Sequence, residues 1–428
     1  MTNVFHTNLA VNTYGIKTSS CHRHGIYQSL RPQYSRVWES LKNGVSGAGP
    51  ITRFNCEKFK TRFACEVKDY DPAKYFDRKS ISKLDLFTQF ALISTDEGFK
   101  DSGLTEDQID LERAGVIWGC GIGGINVMTD EVLEFGKGDG TPKFSPFFIP
   151  KMISDIAAGQ ISMKYGFRGP NYATVSACAS STHAIIDAFN WIRLGKADVM
   201  ITGGSESPIG IAAFAGFNSM KALSTRNDDP QHASRPFDKT RDGFVIGEGA
   251  GCLVLEEYEH AKARGAKIYC EVGGGGASAD AHHITAPHPE GKGAAQVMKM
   301  AIDDACIKPE EIDYINVHGT STGLGDKAEA LAIKQVFGEH AYNLSISSTK
   351  SMTGHLLGGA GAIESIACVL AMVNDTVPPT INFETPDPDI DPKLDITPNV
   401  AKKRSIRAAL NNTFGFGGHN ASVVFKKL

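Results

Sequence analysis

The sequence predicts a layered α/β fold made of two similar halves, on three observations. Short apolar runs that end in Gly or Ser alternate along the chain with longer stretches of helical periodicity. Two of the resulting strand-to-helix units look alike. The helix of each opens on small residues, as a helix buried between two layers must.

In order, the strand candidates are "AGVIWGCGIGG" (114–124), "NYATVSACASS" (171–181), "ADVMITGGSES" (197–207) and "GCLVLEEYE" (251–259), then "IYCEVGGGG", "DYINVHGTST" and "LSISSTKSM". Their apolar residues are consecutive rather than alternating, which reads as strands covered on both faces. In the first repeated unit, "YATVSA" feeds a helix beginning near Cys178, with Ala184, Ile185, Ala188, Phe189 and Ile192 on one face. In the second, "LSISST" feeds a helix whose start is lined by Gly354, Gly358 and Gly361, with Ile363, Ile366, Ala367 and Leu370 on one face. A join near residues 255 to 270 then gives halves of 38–260 and 261–428 related by a pseudo-twofold axis. The prolines of "VPPTINFETPDPDIDPKLDITP" (377–398) mark the clearest irregular segment.

With 41% hydrophobic and 21% charged residues, the 428-residue chain can bury a sizeable core. A net charge of -4 gives no general attraction to nucleic acid or anionic membrane. Nine cysteines without a C-x-x-C pair, and no apolar leader ahead of them, read as reduced thiols in a cytoplasmic protein. The 45 glycines gather in runs such as "GCGIGG", "GHLLGGAG" and "GFGG", which mark tight packing or a site.

Chemistry concentrates at the strand ends. Cys178 in "VSACASS" falls at the first turn of a helix, where free N–H groups and the macrodipole favour a thiolate, although a small buried thiol fits the same place. His318 in "INVHGTST" stands just beyond a strand, with Thr320 and Thr322 at alternate positions after it. Lys350 and His355 in "SSTKSMTGHLLGGAG" open the second buried helix, and Glu364, the acid on its apolar length, is the partner that a buried lysine needs. Either a structural ion pair or a catalytic one satisfies that pattern. Phe416 in "NNTFGFGGHN" sits among glycines that let a ring swing and leave backbone N–H groups free to bind an oxyanion.

"SACASS", "SRPFDKTRDGFVIGEGAG", "NVHGTSTGLGDKAEA", "SSTKSMTGHLLGGAGAIESI" and "FGFGGHNAS" together resemble the beta-ketoacyl-acyl-carrier-protein synthases of the thiolase superfamily, most of all the type II condensing enzymes of fatty-acid synthesis. The resemblance runs from Trp38 to Leu428. It implies a thiolase-like α/β/α/β/α arrangement, Cys178 as acyl-accepting nucleophile, His318 and His355 as the decarboxylation pair, and Lys350 with Glu364 as the supporting ion pair. It further implies Thr320 and Thr322 as pantetheine contacts, Phe416 as a gate, Ile122 as the limit of the acyl pocket, and an oxyanion hole from the N–H groups of Cys178 and Phe416. The implied reaction moves an acyl chain to Cys178, decarboxylates malonyl thioester and joins the two, with no metal or organic cofactor. Implied partners are acyl- and malonyl-loaded acyl carrier protein, docking on Lys79, Lys83, Lys143 and Lys221, and a second copy of the chain. A polyketide-type ketosynthase keeps the same triad and is the nearest rival; a non-catalytic chain-length partner would lack Cys178.

Residues 1 to 37 stand apart. Members of the family open on a buried strand, a glycine turn and Ser-Pro, none of which is written here. With permitted codon choices, Thr18 to Val37 reverse-translated and read one nucleotide later can become "RVVVTGMGFISPLGPNIVEY", running directly into Trp38. On this reading a frameshift wrote the segment, "TSSCHRHG" is no metal site despite Cys21, His22 and His24, and the chain as it stands lacks a central strand.

Overall fold

Ten strands form one sheet whose halves repeat the same strand order. In a computed structural model, residues 19–28 and 34–428 are described, the first stretch and residues 34–36 by their backbone alone. The strands are β1 (Ser19–Gln28), β2 (Ala114–Gly119), β3 (Asn171–Thr174), β4 (Val199–Glu206) and β5 (Gly249–Glu257). The second half has β6 (Cys270–Ala279), β7 (Ile312–Asn316), β8 (Ser345–Ser347), β9 (Ala408–Gly415) and β10 (His419–Lys426). Outward from the centre the halves read β1-β5-β4-β2-β3 and β6-β10-β9-β7-β8. Each has two antiparallel pairings followed by two parallel ones. Identical order and direction make the pseudo-twofold relation that the two sequence units predict.

The main helices are α1 (Tyr34–Lys42), α2 (Leu86–Ser102), α3 (Ile125–Lys137), α4 (Ser180–Arg193), α5 (Lys292–Asp304), α6 (Gly323–Phe337) and α7 (Ala360–Val373). α4 and α7 form the middle layer: Ile185 and Ile363 share a core with Leu255 of β5, Val272 of β6 and Val423 of β10. α7 is buried at every residue but its last, so it reads apolar all round except for Glu364 and Ser365. Gly361 lets the two central helices meet, since a Cβ there would lie 2.1 Å from Thr182 Oγ1. α2 covers one outer face, with Phe87 and Phe90 against Val116 and Ile201. α5 and α6 cover the other, with Met298 and Ile333 against Ile315 and Val424.

Each central helix is entered through a single 3₁₀ turn, Ala177–Ala179 before α4 and Leu357–Gly359 before α7. The first residue of each turn is left-handed, with φ +50° at Ala177 and +46° at Leu357. Lys350 departs from expectation here. It lies in a separate turn of helix, Lys350–Thr353, because Gly354 at φ +67° ends that turn before α7 begins.

The expectation that the chain lacks a central strand is corrected by β1. Its backbone pairs antiparallel with β5 along its length and with β6 at Ser20 and Cys21. Any extended chain satisfies the ladder groups of that slot, whatever its side chains. The register slips between His22 and His24. The side chains of Cys21, His22 and His24 lie outside the described residues.

Candidate active site

Four strand ends and both helix-entry turns open on one cavity of about 530 Å³. Cys178, His318, His355, Ile122, Thr320, Thr322 and Phe416, far apart in sequence, all line it.

Cys178 sits in the turn before α4, next to the left-handed Ala177, and is buried. His355 Nε2 lies 3.0 Å from its Sγ, and the backbone N–H of Phe416 donates to it. The thiolate expected at a helix start is not the resting state. Burial pushes the Cys178 thiol up to about 12, against the opposing pull of Lys350 and the Phe416 N–H. Desolvation outweighs the helix terminus, so the sulfur needs a base when it reacts.

His355 is that neighbour, and its backbone is held on both sides. Its N–H donates to Val245 O at 2.7 Å and its carbonyl accepts from Gly247 N at 2.9 Å. His318 follows β7, with its N–H donating to Glu329 Oε1 at 2.9 Å. The two imidazoles stand edge to face, ring centres 5.4 Å apart. Burial first, and then the Lys350 cation, hold both well below the usual histidine value, so both are neutral. The Nδ1 of each is buried without a hydrogen-bond partner among the described residues, leaving its tautomer free to change.

Lys350 and Glu364 form the buried pair that the sequence predicts. Burial raises the Glu364 carboxyl to about 7, with Lys350 pulling it down. Thr320 and Thr322 share a hydrogen bond of 3.1 Å at the cavity wall. Phe416 projects from the turn between β9 and β10, its ring 6.4 Å from that of Phe217. Gly415 brings this turn against the nucleophile: a Cβ there would lie 3.1 Å from Cys178 N. The Phe416 N–H is thereby held at the Cys178 sulfur.

Lys79 and Lys143 are exposed, and Lys83 rests 5.2 Å over the Phe147 ring. Lys221 is exposed between Met220 and Ala222, both of which line the cavity.

Three charged residues that shape the site are not apparent from the sequence. Glu329 of α6 accepts N–H bonds from His318 and Gly319, fixing the loop that carries the imidazole. Arg241 donates to the carbonyls of Thr322 and Gly323 at 3.1 and 3.0 Å while paired with Asp387. Glu206 ends β4, fully buried. Neither acid stands out as Glu364 does on its apolar helix: Glu206 follows Gly-Gly-Ser at the end of β4, and Glu329 shares α6 with Asp326, Lys327 and Lys334.

Residues 26–261 match the family model of the beta-ketoacyl synthase N-terminal domain, and residues 269–384 that of its C-terminal domain. A 3-oxoacyl-acyl-carrier-protein synthase 2 of Synechocystis sp. is 50% identical over 391 residues, spanning 91% of this chain and 93% of that protein. A beta-ketoacyl synthase crystal structure from Burkholderia phymatum superposes with a TM-score of 0.89 at 33% identity, covering 96% of this chain and all of that one. A type II polyketide ketosynthase solved with its acyl-carrier protein gives a TM-score of 0.88 at 34% identity, with 96% and 99% coverage. With its cysteine and two histidines on one cavity and both domain models matched, this chain belongs to the beta-ketoacyl synthase family.

Proposed function

We propose that the protein elongates acyl chains by two carbons, condensing malonyl-acyl-carrier protein with an acyl group carried on Cys178. The observation that carries this reading is the meeting of Cys178, His355 and His318 in one cavity, with both imidazoles neutral. In the first half-reaction the incoming thioester carbonyl lies against the N–H groups of Cys178 and Phe416. The Nε2 lone pair of His355 takes the thiol proton as sulfur attacks and returns it to the departing pantetheine sulfur. In the second, Cys178 is acylated, and the tautomer of His355 with hydrogen on Nε2 donates, with His318, to the malonyl thioester oxygen. The malonyl C–C bond breaks, carbon dioxide leaves, and the enolate so stabilised attacks the acyl carbonyl. A new C–C bond forms between the enolate carbon and the acyl carbon as the C–S bond to Cys178 breaks, and the thiolate so released takes up a proton from solvent. Elongation by the protein with its frame restored over residues 18–37, assayed on acyl-carrier proteins of graded length, tests the reading, with failure at every length as the outcome that overturns it. The 50% identity to a protein named for fatty-acyl synthesis, against 34% to a polyketide ketosynthase, favours fatty-acid carrier protein as the partner.

The carrier protein would dock on Lys79, Lys83, Lys143 and Lys221, local positive charge on a net-negative chain. Reversing Lys79 and Lys83 to Glu together is expected to raise KM for carrier-protein substrates roughly tenfold. A short pantetheine thioester should keep its KM; an equal rise for both rejects the dock.

A homodimer is supported by β3, at the edge of the sheet, with Tyr172 and the 60%-exposed Val175 beside it. Met128, Val132 and Phe135 of α3 are also exposed, adding apolar surface for a second copy to cover. Cytoplasmic residence accords with the described residues, none of whose helices is long and apolar enough to cross a membrane.

The coding frame of residues 18–37 is also proposed to be shifted. The β1 slot faces Val254 and Leu255 of β5 and Cys270 of β6, all fully buried. A strand there is best served by apolar β-branched residues, and the re-read string supplies Val-Val-Val-Thr. It also supplies glycine in place of Arg23, at the point where the register slips between His22 and His24. Restoring the frame is expected to turn an insoluble or inactive product into a soluble, active one. Coding DNA with an uninterrupted frame for "CHRHG", yielding a soluble and active enzyme, overturns the proposal.

A further inference from the structure

Glu206 is a buried carboxylate that the condensation does not use, and four donors converge on it from both halves of the molecule. Its Oε2 accepts the N–H of Gly121 at 2.9 Å and of Gly358 at 3.0 Å. Its Oε1 accepts the N–H of Ile122 and the thiol of Cys120, each at 3.2 Å. The residues so tied bear directly on the cavity. Ile122 and Leu357 both line it, and Leu357 precedes Gly358 with the left-handed backbone of the second helix-entry turn. Space around the carboxylate is closed: a Cβ on Gly121 would lie 2.6 Å from Glu206 Oε2, and one on Gly358 would lie 2.2 Å from Gly121 N.

We propose that Glu206 is a positioning residue that sets acyl-chain selectivity, by clamping Ile122 and Leu357 at the wall of the cavity. The inference rests on the reading of the cavity as an acyl-chain site. A carboxylate can accept from all four donors, whereas a carboxamide turns two hydrogens of its own toward them. Glu206→Gln therefore sets N–H against N–H, and the loop 120–122 or the turn 357–359 must withdraw. Either movement loosens the wall, so longer chains gain relative to shorter ones.

The experiment measures kcat/KM for elongation of four-carbon and twelve-carbon acyl-carrier proteins by the wild-type enzyme, Glu206→Gln and Glu206→Asp. Loss of charged hydrogen bonds of this kind is expected to move the long-to-short ratio by roughly tenfold in Glu206→Gln. Glu206→Asp, which keeps the charge but shortens its reach, should move it less and in the same direction. In an Ile122→Ala background, Glu206→Gln should change the ratio less than it does in the wild-type background, because only Leu357 is then left for the clamp to hold in place. A fall that is equal for both lengths marks a purely structural role and overturns the proposal, as does an unchanged ratio. Failure of both Glu206 variants to fold overturns it too. A wild-type enzyme that elongates neither substrate overturns the functional reading instead, and this inference with it.

Discussion

Cys178→Ala is expected to abolish condensation, with kcat/KM falling by about four orders of magnitude or more, since no other group can hold the acyl chain covalently. Among the described residues no other cysteine lines the cavity: Cys65, Cys120, Cys252, Cys270 and Cys368 are buried elsewhere, Cys56 is half-buried and Cys306 is exposed on the surface. An electrophilic acyl-thioester mimic should therefore label Cys178 in step with loss of activity, despite its high resting pKa, because His355 takes the proton during attack. A general alkylating reagent should reach Cys306 without affecting turnover. Condensation that survives in Cys178→Ala, or inactivation that maps to another cysteine, would sink the assignment.

Loss of carbon dioxide release is the second large effect, expected in His318→Ala and His355→Ala at about a hundredfold or more each, the usual cost of removing a preorganised oxyanion donor. The two variants should differ in the first half-reaction. His318→Ala should still acylate Cys178, whereas His355→Ala should acylate slowly, having lost the base 3.0 Å from the sulfur. Decarboxylation should also hold its rate as pH falls through 6.5, because both imidazoles are kept neutral well below the ordinary histidine value. Lys350 contributes to that depression, a cation beside an imidazole opposing its protonation. Lys350→Met should move the acid limb of the pH profile upward. A limb that stays in place, or histidine variants that decarboxylate at the wild-type rate, would contradict this account.

Cys178 and His318 are legible in the sequence because each stands where a buried strand gives way to a turn, and an open α/β sheet exposes its chemistry there, whereas His355 is legible from its place in the glycine-rich entry to the second buried helix. The Lys350–Glu364 pair is legible for a different reason: an acid on an apolar helix demands a cation. The resting state of Cys178 is not legible. A helix terminus stabilises a thiolate and burial destabilises it, and only the depth of the sulfur decides between them. Glu206 is hidden by its neighbours, since "GGSES" reads as a polar turn until the three-dimensional approach of Gly121 and Gly358 seals it. β1 is hidden because a strand announces itself through its side chains, while the slot between β5 and β6 recruits backbone.

The two helix-entry turns are one device present twice. Ala177 and Leu357 share the same unusual backbone, and the next residue is Cys178 in one turn and Gly358 in the other. In the second turn the matching amide is taken up by Glu206, and no side chain larger than hydrogen fits at Gly358. A thiol placed there could not become a second nucleophile, so the division of labour between the two turns is locked by packing and cannot be reversed by any single codon change at Gly358.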